Sequence, residues 1–71
     1  MNLKARTRLR VELSDLREKL KKLQDFLGDV DNANDMEVVD WNLLCTQRDI
    51  MVAYVGILET RMTNLGMTIK D

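Results

Sequence analysis

Four side chains at ordered positions in this sequence have the chemistry to hold an anion: Lys19, Lys22, Tyr54 and Arg61. Ammonium and guanidinium groups neutralise phosphates, and a phenol ring offers a stacking face to a nucleobase. Lys19 and Lys22 belong to a stripe with Arg8, Glu12, Asp15 and Phe26, spaced alternately by four and three residues. Gln47, Tyr54 and Arg61 recur every seven residues, a polar column through an otherwise apolar stretch. Plainer roles are open to both sets. Opposite charges four apart (Arg8/Glu12 and Asp15/Lys19) suit a solvated helix flank, and polar seam residues fix register and oligomer number in coiled coils.

A second cluster is acidic: Asp29, Asp31, Asp35, Glu37 and Asp40, followed by the single tryptophan, Trp41. With Trp41 as anchor, it could occupy an arginine-rich site on a protein partner. The plainer reading is a turn in which Asn34 and Glu37 form a capping box and Trp41 lids Phe26 or Leu27. These acids imitate a calcium loop only in composition, without its central glycine or its bidentate glutamate. No metal site and no cofactor are expected. A third set, Arg6, Arg10, Arg17 and Lys21, shares one helical flank and would give RNA binding a steep salt dependence. A net charge of −1 and the lack of exposed aromatics on that helix weigh against direct nucleic-acid binding.

Composition narrows the classes further. The chain has 71 residues, 45% of them hydrophobic and 32% charged, with no histidine, no proline and one cysteine. One small domain is all it can form, and so small a core calls for a partner or a staple. Cys45 has no intramolecular mate, which argues against disulfides and for a reducing compartment. Without imidazole, a nucleophile–base constellation or a glycine-rich phosphate loop, the chain reads as a non-enzyme. The longest uncharged apolar run, Ile50–Leu58, is far short of the roughly 20 residues of a membrane span. Charge is divided unevenly: residues 1–28 carry eight bases and four acids, residues 29–71 three bases and eight acids.

The elements that position these residues are two helices. Leu9, Leu13, Leu16, Leu20, Leu23 and Leu27 keep a strict four–three spacing, one leucine stripe on one helical face. The spacing predicts helix 1 over 3–27, with Gly28 as a left-handed cap, and an acidic turn over 28–34. Helix 2 is expected over about 35–65, stopped by Gly66, with Leu44, Gln47, Met51, Tyr54, Leu58, Arg61 and Leu65 as its seam. An all-α antiparallel hairpin follows, a single domain over 1–71. Pairing Leu9 with Leu58 puts Tyr54 opposite Leu13 and Arg61 near Arg6. Beside that seam, helix 2 carries Leu43, Ile50 and Ile57 on one side and Val52, Val55 and Met62 on the other. One partner helix cannot cover so much apolar surface. Ile50, Val52, Val55, Ile57 and Met62 are therefore the expected self-association face of a four-helix bundle or larger homo-oligomer.

The residues Arg8-Leu9, Glu12, Leu16, Lys19, Lys22-Leu23 and Phe26-Leu27, with Leu43-Leu44, Gln47, Met51, Tyr54, Ile57-Leu58 and Arg61-Met62, carry a resemblance. Over residues 8–62 the pattern resembles a family of small phage helical-hairpin proteins named for a relative in a crAss-like phage. It is also similar to the family of anti-CBASS sponges, oligomers that sequester the cyclic oligonucleotides activating host defence effectors. That resemblance implies a phage protein without catalytic activity, acting in the cytoplasm of an infected bacterial host. The implied ligand is a cyclic oligonucleotide signal, held by Lys19, Lys22, Tyr54 and Arg61. An alternative is inhibition of a host defence protein, such as a CRISPR effector nuclease, by the acidic surface of Asp29, Asp31, Asp35, Glu37, Asp40 and Trp41.

Overall fold

The computed structural model describes residues 3–67 and shows an antiparallel hairpin of two long helices, α1 (Leu3–Leu27) and α3 (Val38–Asn64), joined through a short helix, α2 (Val30–Asp35). Among the described residues there is no strand, and no helix is long and apolar enough to cross a membrane. The helix α1 has the predicted bounds because nothing in Leu3–Leu27 interrupts it, neither proline nor glycine. Its leucine stripe turns inward. Leu9, Leu13 and Leu20 pack with Val55, Leu58, Met62 and Met67, and Leu16, Met51 and Leu65 close around them.

The seam of α3 is rotated from the expected one. Met51, Val55, Leu58, Met62 and Leu65 face α1, while Gln47, Tyr54 and Arg61 lie exposed beside that line. From Met51 to Leu65 the four–three column one position away is apolar at every step, and burying it there leaves no polar seam group to satisfy. Two members of the expected association face are thereby corrected: Val55 and Met62 are core residues against α1. Ile50, Val52 and Ile57 remain exposed.

Between the long helices the acidic segment is partly helical rather than a simple turn. The Asp29 carboxylate accepts the Asp31 backbone N–H at 2.9 Å and starts α2. The expected capping box is absent, since Asn34 lies within α2 and Glu37, the residue before α3, makes no side-chain cap. Gly28 donates its N–H to the Gln24 carbonyl at 2.9 Å and does not adopt positive φ. The left-handed cap sits at the other end, at Gly66, with φ of 69°. There Met67 N–H bonds to the Met62 carbonyl at 2.9 Å and Gly66 N–H to the Thr63 carbonyl at 3.0 Å. This is a Schellman ending, and its hydrophobic contact is supplied by Met67, which enters the core with Met62.

Cross-helix polar contacts hold the register. Arg6 donates to the Leu65 carbonyl, Tyr54 to the Glu12 carboxylate, and Arg17 pairs with Glu59 at 3.5 Å. Tyr54 thus meets the neighbour of Leu13, as the expected pairing requires. Arg6 reaches one turn beyond Arg61. At the α2 end, the Phe26 and Trp41 rings meet tilted at 36° with centroids 6.3 Å apart, the lid foreseen from the sequence.

Candidate functional site

Tyr54 lies near the middle of an exposed flank formed where α1 and α3 meet. Its hydroxyl donates to Glu12, a bond that fixes the ring against α1. The accepting carboxylate holds the Tyr54 pKa above the ordinary tyrosine value. Burial and the Glu12 charge push in the same direction, and Arg61 opposes them. Sequence reasoning missed Glu12 as the residue that orients Tyr54. Its only sequence signal was membership of the charged stripe beside the leucines, where it was paired with Arg8. That expected helix pair is not made.

The four predicted contacts share this flank but do not converge. Arg61 lies seven residues beyond Tyr54 on α3, about 10 Å along the axis. Lys19 and Lys22 lie the other way, seven and ten residues past Glu12 on α1, or about 10 and 15 Å. From Lys22 to Arg61 the flank therefore measures about 25 Å. Lys22 pairs with Glu18 at 3.3 Å, both side chains exposed. Among the described residues, Lys19 and Arg61 have no ion-pair partner. On Arg61's side of the Tyr54–Glu12 pair stands Arg8, one turn before Glu12 and exposed. One part of the flank therefore combines an oriented phenol with two guanidinium groups, a set suited to an anion bearing an aromatic ring.

The competing surfaces are placed differently. Asp31, Asp35, Glu37 and Asp40 are exposed around α2 and the start of α3, but the Asp29 carboxylate is engaged as a helix cap and Trp41 is half-buried against Phe26. Of the basic set on the other flank of α1, Arg6 is bonded to Leu65, Arg17 to Glu59 and Lys21 to Asp25 at 3.0 Å. Arg6 and Arg17 thus join the two long helices, whereas the Lys21 pair lies within α1. Among the described residues, no group of three or more carboxylates and thiols is arranged to hold a metal ion.

The fold and flank define a class, the two-helix hairpin protein that presents a polar, partly cationic edge beside a leucine core. Within that class the chain belongs to the Sequestin family, whose model matches residues 4–64. The match spans both long helices and the acidic connection, and the name points to the sequestering of a molecule. It agrees with the resemblance to small phage sponge-like hairpins carried by the leucine and Gln-Met-Tyr-Ile-Leu-Arg pattern. Comparison with curated proteins and with solved structures gave no match.

Proposed function

We propose that this protein is a non-catalytic sponge, sequestering a small anionic nucleotide signal of the cyclic oligonucleotide kind and so blunting an antiviral response in a bacterial host. The observation that supports this reading most is the oriented Tyr54 ring with Arg8 and Arg61 beside it on one open flank, in a chain of the Sequestin family. The ring takes the base, Arg8 and Arg61 take phosphate, and Lys19 and Lys22 extend the positive edge toward the far end of a longer ligand. Glu12 acts through Tyr54, positioning the ring rather than touching phosphate.

Direct calorimetry tests the proposal, using cyclic di- and trinucleotides alongside linear mononucleotides with one to three phosphates. Heat with saturation by at least one of them, with the chain's molar stoichiometry, is expected. No heat from any nucleotide would contradict the proposal.

A further inference from the structure

Where the chain leaves α3, a half-open cavity of about 200 Å³ lies against the first turns of α1. Leu3, Arg6, Thr7 and Arg10 line it from α1, and Gly66 and Met67 from the turn that caps α3. Arg6 and Arg10 stand on the flank of α1 away from the Tyr54–Glu12 pair, so the cavity is a different surface from the sequestering flank. We propose that it binds a small carboxylic acid with a short apolar body, the carboxylate on Arg6 and Arg10 and the body on Leu3 and Met67.

Charge selects the head group. Residues 3–10 and 60–67, which form this end of the hairpin, carry five bases (Lys4, Arg6, Arg8, Arg10 and Arg61) and no acid. Such a field draws an anion and repels a cation. Arg6 and Arg10 are one turn apart, about 6 Å along α1, a like-charged pair that an anion between them relieves. Arg6 is half-buried, and its Nη2 donates to the Leu65 carbonyl. That bond fixes the planar guanidinium in the cavity wall and uses only part of its five N–H donors. A donor already held in place costs less to engage. Thr7 Oγ1 gives its proton to the Leu3 carbonyl at 3.0 Å, so the acid's head belongs on the arginines rather than on Thr7.

The remaining walls select the body. Leu3 is 80% exposed in the same cavity, and Met67 beside it is packed into the core. Covering Leu3 with hydrocarbon removes apolar surface from water, which an inorganic anion cannot do. Gly66 adds no side chain, and a Cβ built there meets nothing within 4 Å, so that wall is open to a ligand. The volume is below the roughly 300–1,000 Å³ of drug-sized sites, which limits the body to a few carbons.

Amide NMR of the full chain without nucleotide tests the site, with hexanoate as the probe. Acetate keeps the head and lacks the body, hexylammonium keeps the body and reverses the head, and inorganic phosphate supplies a bare anion. Hexanoate should shift the Leu3, Gly66 and Met67 amides saturably and bind at least roughly tenfold more tightly than any of the three controls. Arg10 is exposed, so Arg10→Gln should leave the helical circular dichroism intact while weakening hexanoate roughly tenfold. No saturable shift with hexanoate, equal binding of any control, or equal hexanoate affinity in Arg10→Gln would overturn the proposal. None of these readings depends on whether a nucleotide binds the Tyr54 flank.

Discussion

The two faces of α3 differ in chemistry less than in what lies against them. The inner face presents Met51, Val55, Leu58, Met62 and Leu65 to α1 and is buried. The outer face presents Leu43, Ile50 and Ile57 at the same heptad spacing and is open. Hydrophobicity alone therefore does not choose the core of this protein. The choice falls to α1, whose narrow leucine stripe has only one face to offer, and to the chain end, where the Schellman turn carries Met67 into the inner seam. Tyr54 and Arg61 lie on the edge between the two faces.

Substitutions on the two faces should separate them sharply. Leu58 is completely buried, and Leu58→Ala should cost about 2–5 kcal/mol, enough to unfold much of so small a domain. Thermal unfolding read by circular dichroism checks this. Ile50→Ala, on the outer face, should leave the dilute protomer's helicity unchanged in the same assay.

The glycines give a second, smaller contrast. Gly66 has φ of 69°, so Gly66→Ala forces a side chain into the left-handed region and should destabilise by about 1–2 kcal/mol. A Cβ at Gly56 meets nothing within 4 Å, and Gly56→Ala should stabilise α3 by up to about 1 kcal/mol. Opposite shifts in melting temperature are the expected outcome; equal shifts would mean that the cap is not what ends α3.

The Tyr54–Glu12 bond makes a pH-dependent prediction. Because the folded pKa of Tyr54 is raised, the bond's contribution is fully present below the ordinary tyrosine value and is lost as pH rises through the raised one. Tyr54 is the chain's single tyrosine, so tyrosinate absorbance reports on it alone. The midpoint should lie above the ordinary value and return to it in Glu12→Ala. Smallest of all is the Arg17–Glu59 pair on the opposite flank. Glu59→Gln should change stability by less than about 1 kcal/mol, and still less in high salt.

Much of the hairpin was legible because α1 is unambiguous. A single leucine stripe without glycine or proline has one helical interpretation, and its bounds at Leu3 and Leu27 followed. The seam of α3 was less legible because that helix is apolar around most of its circumference. Two four–three columns, one through Leu44, Tyr54 and Arg61 and one through Val55, Leu58 and Met62, compete on sequence alone. Satisfaction of polar groups decides between them, and that is a property of the packed pair. The helix α2 was hidden for a similar reason, since Asp29 and Asn34 favour a turn and a helix start alike. Tyr54 and Arg61 could be picked from their spacing. Glu12, which orients Tyr54, and Arg8, which joins Arg61, emerge only once α1 is laid against α3.

Calorimetry of the wild type beside Arg61→Gln, with the tightest nucleotide of the panel, is the most direct test of the sequestering flank. Wild-type binding should weaken at least roughly tenfold in the variant, the loss of one charge-assisted phosphate contact, while circular dichroism stays the same. Equal affinity in the two proteins, or no binding by the wild type, would contradict the account.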